Sequence, residues 1–204
     1  MEKSMKNFYL NFSMNHEEGR TLQFLDELEE FEESLIINTD EGKLYPVMDE
    51  GVANIYISST GGENRMAALI YHFFKQSKFD YNFIVHGDFS SNAVLIMLAL
   101  NPKYISIMRQ CSSVIHLSSY NHPVANIALN DPNHSSLNDF NDFKEYLNSL
   151  LILYKSFLTK EEIFIIKQGG DIFLSSKRVK ALFDALKKNR LLQKKAKNIF
   201  EITL

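Results

Sequence analysis

The chain of 204 residues contains one cysteine, Cys111, and no tryptophan. A single thiol excludes an intramolecular disulfide and fits a reducing compartment; its mostly apolar neighbours give it a packing role. No run of 18 apolar residues exists, so no membrane-spanning helix is expected. The opening Met1-Glu2-Lys3-Ser4-Met5-Lys6 is charged and leads into no apolar signal segment, which points to the cytoplasm. Strong charge of either sign is also lacking, the net charge being −3. Basic residues do crowd Lys177 to Lys197, but Val179, Leu182, Phe183 and Leu186 recur at helical spacing beneath them. That run reads as the solvated face of an amphipathic helix. Its single aromatic, Phe183, belongs to the apolar stripe and makes no stacking platform among the charges, so no nucleic-acid partner is expected.

What is present is a core. Hydrophobic residues make up 45% of the composition, enough for one domain over 1–204 that buries roughly 70% of its unfolded surface. Strand and helix patterns alternate along it. Phe8 to Phe12 reads as a strand, and Thr21 to Leu35 as a helix with Leu22, Leu25, Leu28, Phe31 and Leu35 as its apolar stripe. Residues 38–53, with Gly42, Pro46 and Gly51, read as a loop or hairpin. A strand at Asn54 to Ser58, a helix at Glu63 to Gln76 and a strand at Tyr81 to Val85 follow. Met66, Leu69, Ile70 and Phe73 mark the buried face of that helix. Ala93 to Leu100 has no polar residue, so it reads as a buried helix stopped by Asn101-Pro102. Ser112 to Leu117 is a further strand.

From Ser118 to Leu137 the sequence is polar and broken by Pro123 and Pro132, a long excursion from the core. A helix is predicted over Asp142 to Phe157. Thr159-Lys160-Glu161-Glu162 has capping-box spacing, which predicts another running to Lys167 before Gly169-Gly170. The repeated order argues α/β architecture with helices outside the sheet.

Four stretches carry chemistry. Thr60-Gly61-Gly62 ends an apolar strand, and glycine there permits positive φ and close main-chain approach to a substrate. Ser91 opens the buried helix, where unpaired N–H groups and the positive end of the macrodipole favour developing negative charge. His116 lies in Val114-Ile115-His116-Leu117, and Asp171 precedes Ile172-Phe173-Leu174. Acyl transfer needs a nucleophile, a base, an orienting carboxylate and donors for the oxyanion. Each residue also has a plainer reading: a turn glycine, a helix cap, a hydrogen-bonded core histidine, a turn-capping aspartate.

Taken together, Ile57-Ser58-Ser59-Thr60-Gly61-Gly62, Gly87-Asp88-Phe89-Ser90-Ser91-Asn92-Ala93, Val114-Ile115-His116 and Asp171-Ile172-Phe173-Leu174-Ser175 resemble the proteolytic subunit of Clp protease, ClpP. The resemblance spans about residues 54–176. It implies a ClpP/crotonase-like stack of ββα units with a protruding handle helix. It further implies Ser91 as nucleophile, His116 as general base, Asp171 as its orienting partner, and the N–H groups of Gly62 and Asn92 as the oxyanion hole. Gly61 would line the substrate site. Residues 118–158 would form the handle, through which rings of subunits meet, and the substrate would be a peptide or unfolded protein. No cofactor is implied.

Several features depart from the family pattern. Thr60 stands where the family has proline, and Asn92-Ala93 where it has Met-Gly. Few residues precede the first strand, which speaks against docking of an AAA+ unfoldase. Residues 177–199 contain no glycine and read as a divergent C-terminal helix, where the family runs into a Gly-Leu-Ile-Asp strand. Two other functions remain open: a catalytically silent ring subunit or scaffold, and a crotonase-fold acyl-CoA enzyme using the same Gly-rich hole. A metal site at His122, Asp131 and His134 lacks tight spacing and a supporting pattern, so no metal is expected. His86, next to Gly87, lies near the substrate site in sequence.

Overall fold

A computed structural model describes residues 5–14, 18–39, 42–45, 51–96, 99–117, 151, 154–155 and 157–188. Its frame is a sheet of six strands: β1 (Asn7–Leu10), β4 (Asn54–Ser59), β5 (Asn82–Phe89), β6 (Ile105–Ile107), β7 (Ser112–Ile115) and β8 (Ile172–Ser175). The order across it is β1-β4-β5-β7-β8, with β6 also paired to β5. The first four pair in parallel and β7 with β8 antiparallel. Between β1 and β4 the chain forms α1 (Glu18–Leu35) and the hairpin β2 (Ile37–Thr39) and β3 (Gly42–Leu44). The connection from β4 to β5 is α2 (Asn64–Gln76). Helix α3 (Asn92–Ile96) follows β5, and α4 (Lys160–Lys167) and α5 (Ser176–Lys188) flank β8. The sheet with its outer helices is the mixed α/β arrangement the alternation predicts.

Strict alternation in β1, β4 and β5 explains the sidedness of the sheet. Phe8, Leu10, Ile55, Ile57, Phe83 and Val85 are buried, and α1 and α2 cover that face with Phe24, Leu28, Met66, Ile70, Tyr71 and Phe74. The opposite face carries an amide ladder in which Asn82 donates to Asn54 and Asn54 to Asn7. Beside it Tyr9 stacks on Tyr56. Glu32 of α1 accepts from Tyr81 Oη at 2.6 Å and Ser77 Oγ at 2.5 Å, fastening α1 to the turn before β5. Burial, then the Glu32 carboxylate, pushes the Tyr81 phenol far above its ordinary range.

The boundaries differ from the sequence reading in instructive ways. Strand β1 ends at Leu10, and α1 starts at Glu18 with Leu22 exposed; Thr21, Phe24 and Leu28 take the inward positions. The burial of Thr21 shows tertiary packing overriding the leucine stripe. Leu69 and Phe73 of α2 are only partly buried, and Tyr71 and Phe74 go inward instead. Strand β5 continues to Phe89 through Gly87, at φ 62°, with a register shift opposite Ile57 to Ser59. Strands β6 and β8 have no counterpart in the sequence reading. Both are three or four residues long, too short for periodicity to register.

The capping box appears as predicted: Thr159 Oγ1 accepts from the Glu162 N–H and the Glu162 carboxylate accepts from the Thr159 N–H. Cys111 is buried, and burial pushes its thiol up to about 11, in keeping with packing rather than reactivity. Of the expected handle at 118–158, only 151, 154–155 and 157–158 fall within the described residues. The rest of the helix over 142–157, the candidate metal ligands and the C-terminal helix beyond Lys188 lie outside them. Among the described residues no helix is long and apolar enough to cross a membrane.

Candidate active site

The C-terminal ends of β5 and β7 and the N-terminal end of β8 meet at one end of the sheet and bring Ser91, His116 and Asp171 together. Ser91 lies between β5 and α3. Ser91 has φ 53°, the one positive φ on a non-glycine residue among those described. Such a value costs free energy and persists where the surroundings enforce it. Here they do: the Ser91 N–H donates to the Val114 carbonyl at 2.8 Å, the Ser90 N–H to the Ser59 carbonyl at 3.0 Å, and the Val114 N–H to Ser90 Oγ at 2.8 Å. The resulting strand-to-helix elbow presents the Ser91 side chain beyond the sheet.

Gly61 is the close neighbour that makes the elbow possible. A Cβ there would sit 2.6 Å from Ser91 Cβ and 2.7 Å from the Ser90 carbonyl oxygen, and its φ is 89°. The same position is 3.0 Å from the Asn92 nitrogen, so the Gly61 main chain, the Ser91 side chain and the start of α3 converge. Only glycine satisfies both the space and the dihedral. The Gly61 carbonyl accepts from the Met14 N–H at 2.8 Å, and the Glu63 N–H donates to the Met14 carbonyl at 3.4 Å. The Gly-Gly segment is thus tied to Met14 through one isolated parallel bridge.

The antiparallel pair β7–β8 supplies the other two groups. Ile115 lies opposite Ile172 in the ladder, so one step beyond it places His116 across from Asp171. His116 Nδ1 is 3.1 Å from Asp171 Oδ1, and His116 Nε2 is 2.7 Å from Ser91 Oγ. A carboxylate oxygen accepts only, which assigns the proton to Nδ1 and leaves Nε2 to accept from the Ser91 hydroxyl. The His116 and Asp171 side chains are 39% and 51% exposed, so a substrate can reach them. Tyr154 Oη donates to the His116 carbonyl at 3.3 Å. His86 contacts Tyr56 on the sheet face opposite α1 and α2 and is not part of this cluster.

Asp171 also sits between two tied helices. Arg178 in α5 makes a bidentate pair with Glu162 in α4, at 2.5 and 2.9 Å. Arg178, opposed in part by burial and aided by the Thr159 N–H, holds the Glu162 carboxyl down at about 2. Glu162, Arg178, Ser90, Asn64 and Tyr154 escaped the sequence reading as site residues. Only Glu162 carried a signal, as the third position of the capping box. Among the described residues no group of three metal-ligating side chains occurs.

The six-stranded α/β sheet with its outer helices is a ClpP-like fold. Comparison with solved structures agrees. The chain is similar to a mutant of ClpP1 from Listeria monocytogenes, with TM-score 0.53 and 18% identity over 89% of this chain and 94% of that one. It is also similar to the ClpP protease catalytic domain from Plasmodium falciparum, with TM-score 0.51 and 19% identity over 87% of this chain and 80% of that one. No family model and no curated protein matches the sequence. The fold is therefore ClpP-like and the sequence divergent.

Proposed function

We propose that the chain is a serine-type endopeptidase acting through Ser91, His116 and Asp171. The observation that carries this reading is the continuous hydrogen-bonded line from Ser91 Oγ through His116 to Asp171 Oδ1. Ser91 Oγ attacks a peptide carbonyl while His116 Nε2 takes its proton. The imidazolium then gives that proton to the leaving amine, and Asp171 steadies the ring's orientation and charge. Water, activated by His116, releases the acyl group from Ser91.

The negative charge on the carbonyl oxygen forms beside the Gly62 and Asn92 N–H groups, which act as its donors. Gly61, packed against Ser91, leaves room for the substrate main chain. The reaction draws on no cofactor. We further propose, from the ClpP-like fold, that copies of the chain assemble into a ring that works on peptides or unfolded proteins. Hydrolysis of fluorogenic peptides by the wild type and by Ser91→Ala tests the reading: turnover lost with Ser91 supports it, and turnover kept without Ser91 refutes it.

A further inference from the structure

We infer that the Asn92 side chain is a positioning residue that fixes the Gly62 main chain as an oxyanion donor, an inference that rests on the peptidase reading. Asn92 is a buried polar residue, 4% exposed. Its Nδ2 donates to the Gly62 carbonyl at 2.6 Å and to Asn64 Oδ1 at 2.6 Å. The assignment of that atom as nitrogen follows from its partners, because a main-chain carbonyl can only accept.

Gly62 has no side chain, and at φ 148° neither adjoining peptide plane is restrained by a Cβ. Three hydrogen bonds restrain them instead. Met14 holds the Gly61 carbonyl and the Glu63 N–H from one side, and Asn92 holds the Gly62 carbonyl from the other. Within the trans peptide joining Gly61 to Gly62, the N–H points opposite to the carbonyl that Met14 holds. The Gly62 N–H is therefore directed to the side from which Asn92, the residue after Ser91, approaches. Rotation of the Gly62–Glu63 peptide would break the Asn92 bond and leave a buried amide short of an acceptor. Asn64, the first residue of α2, anchors that amide from the far side. Two asparagines thus convert a flexible Gly-Gly segment into a fixed donor, which is how preorganised oxyanion stabilisation operates.

The test compares wild type, Asn92→Leu, Asn64→Leu and Asn64→Asp on a fluorogenic peptide. It also measures inhibition by a peptide aldehyde, which forms a tetrahedral adduct on serine. Asn92→Leu keeps the volume and removes both bonds. The expected result is kcat lowered about 10- to 100-fold at nearly unchanged KM, with aldehyde affinity falling in parallel. Asn64→Leu shows a smaller loss of the same kind. Asn64→Asp, which keeps an acceptor for Asn92 Nδ2, loses less than Asn64→Leu, and both Asn64 variants keep the comparison available should Asn92→Leu fail to fold. Unchanged kcat in Asn92→Leu and Asn64→Leu, or a loss confined to KM, overturns the inference while the peptidase reading stands. A wild type without Ser91-dependent turnover is a failure of the peptidase reading itself. The positioning role is then decided by crystal structures of the Leu variants: a turned Gly62–Glu63 peptide supports it and an unmoved one overturns it.

Discussion

The two halves of the candidate site are built by different means. The nucleophile half, so called for the role proposed for Ser91, runs from β5 to α3 with the Gly-Gly segment and is held from the inside: Ser90 and Asn92 are buried, and main-chain bonds run from Ser59, Val114 and Met14 into it. The base half, β7 and β8, stands at the sheet edge, with His116 and Asp171 substantially exposed and placed by one antiparallel register. The contrast separates two tasks. A serine at positive φ needs surroundings that overdetermine it, whereas an imidazole needs reach and access more than enclosure. Perturbation of the first half should destroy both fold and chemistry, and perturbation of the second should mainly detune the chemistry.

The strongest way to break the comparison is His116→Ala, expected to lower turnover by about 10³-fold with little change in thermal midpoint, read by peptide kinetics and calorimetry. A large fall in midpoint would mean that the exposed half also carries the fold. Gly61→Ala attacks the other half. Its Cβ overlaps Ser91 and the Ser90 carbonyl at positive φ, so about 2–4 kcal/mol of stability should be lost, by denaturant titration, together with the activity.

Asp171→Asn sharpens the base half alone. Because the carboxylate is half-exposed and screened, turnover should fall less than for His116→Ala, by about 10²-fold, with the fold intact by circular dichroism. Smaller still is Glu162→Gln. The Glu162 carboxyl is held below its ordinary 4.5 at about 2, so its contribution to stability is complete above 4.5 and is lost as the pH falls from there to about 2. Removing it should cost about 1 kcal/mol near neutrality, since Arg178 is partly exposed. The difference from wild type should vanish towards pH 2 in acid unfolding curves.

The same contrast governs what was legible in the sequence. The nucleophile half is local: Gly61-Gly62 after an apolar strand and Ser91 before an apolar helix are read from neighbours in the chain. His116 and Asp171 were legible as residue types and from the family resemblance, but their meeting depends on β8, whose four residues gave no periodic signal. The Glu162–Arg178 tie joins two helices across 16 positions, and no local rule pairs them. Leu22 misled because a leucine stripe over-reads one face of α1, where Thr21 and Phe24 are packed instead. The side-chain role of Asn92 was hidden for a related reason. As a helix-start residue it reads as a main-chain donor, and its amide finds Gly62 and Asn64 only once α2 and α3 are folded together.

The central claim is that Ser91 is an activated nucleophile. The most direct measurement is intact-protein mass spectrometry after incubation with a fluorophosphonate, on wild type and Ser91→Ala side by side. The account predicts a single adduct on the wild type and none on the variant. An unlabelled wild type, or equal labelling of both proteins, would contradict it.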